Sequence, residues 1–415
     1  MHNNGKQNIV ILGAGFGGLM AALTLAKMLR RSRLYERYNV ALVDRNNYHT
    51  YTPALYEIAA IPKGEAEAVC LKSSNCIPLD DIVSPYAIRF IQDDVRGLNP
   101  AGKTVMLRDT GALPYAYLII ALGSETNYFN IPGLAEHSVT LKTFLDAIRI
   151  RNRIEELVES KEALTIVVGG GGPTGVELIA EFSNFICALA RRNKKEKNTC
   201  SVELILVEAS AEILHGFALW MIQGAFRRLG ALGVSVRVGV PITEVTDRHI
   251  LLQDGNSISF DLFIWAGGVK GNSALASFGI PLGPKGNIAV TENLAADGDI
   301  FAIGDSAFFV HRETQAPLPW NVPIAEEEAR IVAANIIRKI RAVPLIPFRP
   351  MRRYPFILAV GKKYALADFV FFHFSGVLGW IAKLFVELRY FFFILPFFKA
   401  VRIWLQNVKA YTSND

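Results

Sequence analysis

Two short sets of glycines carry the chemistry most plainly written in this sequence. Gly13, Gly15 and Gly18 in GAGFGG, and Gly170, Gly172 and Gly175 in GGGGPTG, share the spacing GxGxxG. Glycines so placed allow a tight turn, let the main chain approach a pyrophosphate and bring a helix close to a strand, with the helix N-terminus facing the phosphates. Each set is followed by an acid at the end of a strand-like run: Asp44 closes NVALVD and Glu208 closes VELILVE. A carboxylate there can accept the hydroxyls of an adenosine ribose, and it repels a 2′-phosphate, which favours NADH over NADPH at the second turn. Glu208 lies further from its glycines than the usual ~20 residues. The polar stretch RRNKKEKNT at 191–199 accounts for the excess, since a surface loop lengthens without disturbing a sheet. For the first turn the alternative is a glycine-rich bend with no ligand.

A third signal separates the two nucleotides. DGDIFAIGDSA at 297–307 sets Gly304 and Asp305 after a short strand, where the aspartate can accept a hydroxyl from the ribityl chain of a flavin. YAYLIIALGS at 115–124 supplies another strand and turn, ending around Ala121 and Gly123. Taken in order, these segments point to a flavoprotein that handles two dinucleotides.

The elements that must position these residues follow from periodicity. IVIL before the first glycines is strand-like, and Leu19, Ala22, Leu23, Ala26 and Leu29 after them have helical spacing. TIVVGG plays the same part before the second set. With 415 residues, 51% hydrophobic and 20% charged, the chain exceeds the roughly 250–300 residues at which one core stops growing, so two or three domains are expected. Cys70, Cys76, Cys187 and Cys200 form no CxxC pair and no Cys/His cluster, which argues against zinc, iron–sulfur and a dithiol relay. The N-terminus reaches its first strand by Asn8 without a cleavable apolar run, so residence on the cytoplasmic side is expected. Net charge is +6. Much of the excess lies late, among apolar runs rather than on a polar face, which fits an anionic membrane surface and not nucleic acid.

GAGFGG, ALGSETNYFNIPGL, GGGGPTGVE and FAIGD, in this order, resemble the pyridine nucleotide-disulfide reductase-like flavoproteins over about residues 8 to 340. LVDRNNYHTYTPALYEIA and TNYFNIPGLAEHSVTLKTFLDAIRIRNRI look most like type II NADH:quinone oxidoreductases. The resemblance implies an α/β fold of two Rossmann-type domains, the second inserted in the first. It implies an FAD-binding domain at 1–159 and 271–345, an NADH-binding domain at 160–270, and a C-terminal region at 346–415 with membrane-binding helices. FAD would stay in the first turn and NADH would enter the second. No cysteine pair stands where related thiol reductases carry one, so electrons pass directly to an external acceptor, a membrane quinone. The family's AQxAxQQ motif falls on LPWNVPIAEEEARIVAANII at 318–337, with Ala325 retained and the paired glutamines replaced by Glu327 and Glu328. A protonated glutamate can still hydrogen-bond a quinone carbonyl, and burial favours that form. The bland alternative is a solvated helix start where Glu326, Glu327 and Glu328 favour the macrodipole. Glu177 matches a family carboxylate near the nicotinamide and flavin, linked to proton or charge handling. Its plain alternative is a first-turn helix acid, with Glu181 on the same face. A reductase of another acceptor, such as a small iron–sulfur protein, and a redox sensor without turnover are the other readings.

The tail separates these readings. From Ala365 the chain reads ALADFVFFHFSGVLGWIAKLFVELRYFFFILPFFKAVRIWLQNVKAY, with KKYALADFVF strand-like at its start. A membrane-spanning helix needs about 20 predominantly apolar residues, and Lys383, Glu387, Arg389, Pro396, Lys399 and Arg402 interrupt the later window. A monotopic interfacial anchor is expected instead, with Trp380, Phe385, Tyr390, Phe391, Phe392, Phe393, Phe397, Phe398 and Trp404 as its wedge. Core packing, or a homodimer through the tails, is the alternative.

Overall fold

The computed structural model describes residues 5–64, 71–192 and 201–412. Cys70, Cys200 and most of the polar stretch at 191–199 lie outside them. The chain divides into two compact units. The first comprises Met1–His49, Ile77–Glu125 and Val269–Tyr354, the second Thr50–Cys76, Thr126–Gly268 and Pro355–Asp415. Residues 126–159 and the tail fall in the second unit. Val139–Thr140 pairs with Leu262–Trp265, which carries the segment into that unit's sheet.

The first unit is built on a six-stranded sheet in the order Ala295–Asp297, Ile300–Ala302, Tyr117–Ile120, Gln7–Leu12, Tyr38–Asp44, Arg89–Gln92. Its pairings are parallel except at the Ala295–Asp297 edge. The central strand is fully apolar where Ile9, Val10, Ile11 and Leu12 run together, as a parallel strand covered on both faces requires. Helix Phe16–Arg31 buries Leu19, Ala22, Leu23 and Leu29 and packs along helix Val322–Ile340. A three-stranded antiparallel sheet, Val95–Asn99, Thr104–Leu107 and Ala112–Pro114, adds Val105, Leu107 and Leu113 to a core shared with Val10, Leu12, Leu118 and Phe278.

The second unit has a five-stranded parallel sheet in the order Val139–Thr140, Leu262–Trp265, Ala163–Gly169, Ser201–Val207, Val234–Arg237. Helices Phe144–Ser160, Pro173–Arg192 and Leu219–Ala231 accompany it. The first of these begins on a capping box in which Thr143 and Asp146 satisfy each other's main-chain N–H.

The tail belongs to the same unit. Strands Phe356–Ala359, Ala365–Asp368 and His373–Gly376 form an antiparallel sheet, which agrees with the strand reading of KKYALADFVF. Helix Val377–Ile394 follows and stops before Pro396, which starts helix Phe397–Tyr411. No helix among the described residues is long and apolar enough to cross a membrane.

Candidate dinucleotide and acceptor sites

In the first unit the two ends of a peptide are held by two side chains. The Ala14 N–H donates to Asp44 Oδ2 at 2.7 Å, and the Ala14 carbonyl accepts from the ring Nδ1 of His49 at 2.9 Å. Asp44 Oδ1 also accepts the Asn46 N–H at 2.8 Å. Burial raises the Asp44 carboxyl above its ordinary value against the pull of those N–H groups. Burial drives His49 down to about 4, so its ring is neutral and donates through Nδ1. Phe16 meets the same ring edge-on at 5.1 Å. The sequence singled out Asp44 but not His49, whose only local sign was its place in the stretch LVDRNNYHT.

Gly13 has φ +98°, and a side chain there would overlap the Ala121 carbonyl oxygen. A side chain at Gly18 would overlap the Gly13 carbonyl. Gly15 differs: it caps the helix Phe16–Arg31, and nothing lies within 4 Å of where its Cβ would be. Two glycines close the turn and one leaves its mouth open. An open helix N-terminus is the cradle a pyrophosphate needs.

The second unit repeats the arrangement. Gly170, at φ +109°, would collide with Gly267, Gly175 would collide with the Gly170 carbonyl, and Gly172 faces open space. The Gly171 N–H donates to Glu208 Oε2 at 2.6 Å, and the Gly171 carbonyl accepts the Leu214 N–H at 2.8 Å. Glu208 Oε1 takes the Ser210 N–H at 2.7 Å. Asp44 and Glu208 therefore brace their own turns. A carboxylate offers about four acceptor positions, so both keep capacity for ribose hydroxyls.

The remaining residues of the first site meet at the C-terminal ends of its parallel strands, where open α/β sheets bind ligands. Ser124 Oγ donates to Asp305 Oδ2 at 2.5 Å and the Gly123 N–H donates to Ser306 Oγ at 3.0 Å, which ties the Ala121–Gly123 turn to the turn Gly304–Ser306. Gly304, at φ +61°, donates its N–H to Glu328 Oε2 at 2.6 Å. Ala325 stands 3.4 Å from the Cβ position of Gly304. Gly13, Gly15, Gly18, Asp44, Ala121, Gly123, Gly304, Asp305, Ala325 and Glu328 are thus gathered in one unit.

The reading of Glu326, Glu327 and Glu328 as a solvated helix start is overturned. The helix begins at Val322 with Asn321 as its cap, and no acid lies in its first turn. Glu326 is buried and paired with Arg330 at 3.2 Å. Glu328 is 2% exposed, and burial pushes its carboxyl up to about 8 against the pull of the Gly304 N–H, with the negative charges of Asp305 and Glu327 adding to the rise. Glu327 accepts the Tyr354 hydroxyl at 2.8 Å. Tyr354 was not singled out in the sequence, because it lies 27 positions away.

Glu177 lies in the second unit. Its carboxylate accepts the Ala359 N–H at 3.2 Å, and burial pushes it up to about 8 against the attraction of Lys383. Lys383 is itself ion-paired with Glu57, and the rings of Tyr56 and Tyr411 lie 5.2 and 5.5 Å from its ammonium. Glu387, one turn further along the same helix, is 1% exposed, accepts Asn407 Nδ2 at 2.7 Å, and is raised to about 7 chiefly by burial. Lys383 and Glu387 read in the sequence as interruptions of an apolar surface, and they are internal instead. Tyr390 and Phe391, expected in the wedge, are buried too. A helix turns about 100° per residue, so a run of consecutive aromatics must divide between its faces. Phe385, Phe392, Phe397 and Phe398 remain exposed.

A family model described as pyridine nucleotide-disulphide oxidoreductase matches residues 7–329. Among curated proteins, the chain is 26% identical over 363 residues to a type II NADH:quinone oxidoreductase of Staphylococcus saprophyticus, covering 84% of this chain and 86% of that protein. It is 27% identical over 379 residues to one from Haemophilus influenzae, covering 83% of each. Among solved structures it resembles NDH2 from Plasmodium falciparum in complex with NADH, with a TM-score of 0.80, 20% identity and 99% of each chain covered. Paired glycine turns, their bracing acids and the match over residues 7–329 agree: the chain belongs to the pyridine nucleotide-disulphide oxidoreductase family.

Proposed function

We propose that this protein is an FAD-dependent NADH:quinone oxidoreductase of type II, which passes a hydride's electrons from NADH to a membrane quinone without pumping protons. The carrying observation is the doubled glycine turn, each with an open central glycine and an acid holding the peptide beside it. One such turn serves a resident nucleotide and the other a nucleotide that comes and goes. Each unit is then a Rossmann-type domain, and along the chain the second is inserted in the first. Residues 1–159 and 271–345 supply the FAD domain, 160–270 the NADH domain and 346–415 the membrane-binding region.

Gly13, Gly15, Gly18, Asp44, Ala121, Gly123, Gly304 and Asp305 hold FAD, whose isoalloxazine supplies the two-electron chemistry when bound. Gly170, Gly172, Gly175 and Glu208 hold NADH, with Glu208 repelling a 2′-phosphate. Ala325, Glu327 and Glu328 line the acceptor side. Reduction of a quinone to its quinol takes up two protons. Glu328 keeps a proton at neutral pH because its site is dry and Asp305 and Glu327 are close, so a donor stands where the acceptor's oxygen needs one. Glu177 holds a second proton in the other unit.

The exposed aromatics and basic residues of the last two helices support monotopic attachment to the cytoplasmic face of the cell membrane. Pairing of two chains through these helices is the competing use of the same surface. Purified protein should be yellow with non-covalent FAD and should oxidise NADH with a quinone in a panel of soluble analogues. Failure with every quinone alongside rapid reduction of a small iron–sulfur protein would replace the acceptor in this reading.

A further inference from the structure

The tail carries an exposed apolar feature that is not helical. Between strands Ala365–Asp368 and His373–Gly376 the chain turns through Phe369, Val370, Phe371 and Phe372. Phe371 is 95% exposed, more than any other large apolar side chain among the described residues. The turn is stiff rather than loose. Asp368 Oδ1 accepts the Val370 N–H at 2.8 Å, the Phe369 N–H donates to the Phe372 carbonyl at 3.0 Å, and the Phe371 N–H donates to the Phe369 carbonyl at 2.9 Å.

Val370 sits at φ +74°, a left-handed conformation that is a genuine outlier for a β-branched residue. Such strain persists only where surrounding structure enforces it, and it concentrates at functional positions. Here Phe369, Phe372 and Phe374 stack in a ladder, with centroids 5.3 to 6.2 Å apart and planes within 20°. Trp220 stacks on His373 at 4.4 Å behind it. The fold therefore holds one phenylalanine out into solvent on a braced stalk, which no core or turn requirement explains.

We propose that this hairpin tip is a second point of insertion into the lipid bilayer, separate from the tail helices. The inference rests on the membrane reading of those helices. The bilayer is favoured over a protein partner by continuity and charge. Strand His373–Gly376 runs directly into helix Val377–Ile394, whose first residues Val377 and Leu378 are exposed. Across that helix and helix Phe397–Tyr411 the only acid is Glu387, and it is buried, whereas Arg389, Arg402 and Lys409 are exposed. A surface of apolar and basic groups without an accessible acid suits an anionic headgroup layer. The tip itself carries no basic residue. Its contribution is purely apolar and independent of salt, while that of the helices is screened by it.

Sedimentation of the full-length flavoprotein with vesicles tests this, using phosphatidylcholine alone and phosphatidylcholine mixed with phosphatidylglycerol. The double substitution Phe371→Ser with Phe372→Ser should weaken partitioning about tenfold or more on both vesicle types, at low and high salt alike. Arg402→Gln should weaken it only on the anionic vesicles and only at low salt. Phe371→Trp should keep wild-type binding, and its added emission should shift to the blue and be quenched by brominated lipid. An unchanged thermal midpoint and flavin content would exclude unfolding as the cause of any loss. Wild-type partitioning by the double serine variant, with loss on Phe397→Ser and Phe398→Ser, would overturn the hairpin proposal and leave the membrane reading standing. Wild-type protein that stays in the supernatant with both vesicles would remove the membrane reading itself. Dissociation of a dimer by the serine variant, with vesicle binding intact, would reassign the tip to contact between copies of the chain.

Discussion

Glu328 and Gly304 lie 24 positions apart, yet the carboxylate of one accepts the N–H of the other at 2.6 Å inside the first unit. The bond fixes the turn that presents Asp305 and at the same time leaves a carboxyl in a dry site. Its pKa is raised from 4.5 to about 8. An acid raised on folding favours the native state fully below the unfolded value, and that contribution is lost as pH climbs through the folded one. Thermal midpoints of the wild type should therefore fall between about pH 4.5 and 8. Glu328→Gln, which cannot titrate, should flatten part of that slope. Identical slopes in both proteins would show that Glu328 titrates normally.

Two glycines of the first turn should fail in different ways. Nothing stands near the Cβ position of Gly15, so Gly15→Glu should fold and be isolated colourless, its charge and bulk occupying the pyrophosphate position. Gly18→Ala should instead lose about 1–3 kcal/mol or more of stability, because its Cβ meets the Gly13 carbonyl. Denaturant midpoints and flavin absorbance separate the outcomes. A yellow, normally loaded Gly15→Glu protein would move the nucleotide elsewhere.

Glu208→Gln should narrow the preference for NADH by roughly tenfold in the ratio of kcat/KM values. The amide oxygen can still take the Gly171 N–H, while the repulsion of a 2′-phosphate disappears. Thermal stability should fall by about 1–3 kcal/mol, since the amide NH2 cannot accept the Ser210 N–H that the second carboxylate oxygen holds. Equal use of both nucleotides by the wild type would contradict the assignment.

Tyr354→Phe removes the donor to Glu327 and should slow flavin reoxidation by quinone several-fold. Alanine at Glu327 or Glu328 should do so more strongly. Reduction by NADH should be nearly unchanged in the Tyr354 and Glu327 variants, because a residue used in one half-reaction perturbs only that one. Stopped-flow flavin absorbance follows each half alone. Unaltered reoxidation throughout would return the acceptor site to an unknown place.

Lys383→Met should destabilise the second unit by about 3–5 kcal/mol, because it leaves Glu57 in a buried site without its ammonium partner. Arg389→Ala, at an exposed position on the same helix, should cost less than about 0.5 kcal/mol. Urea unfolding of the two variants provides the comparison, and equal losses would mean that Lys383 is solvated in solution.

The sequence by itself determined the parts whose chemistry is local. A glycine turn, the strand before it and the helix after it are set by near neighbours, so both turns, Asp44, Glu208 and the Gly304–Asp305 turn were legible from spacing. Hydrophobic period likewise marked the strand Ala365–Asp368 inside an apolar run, and the charges interrupting the later window argued against a spanning helix. Tertiary structure decided what depends on partners distant in sequence. His49 on the Ala14 carbonyl, Tyr354 on Glu327 and Lys383 on Glu57 have no local pattern, because a hydrogen bond or ion pair between remote segments leaves nothing in spacing. It also decided which residues of one helix face inward. Spacing left Glu326 and Glu328 open between an acceptor site and a solvated helix start and gave Tyr390 and Phe391 as part of a wedge, whereas helical rotation against a packed neighbour buried all four. Burial is a property of two surfaces meeting, and a single chain read in order displays only one of them.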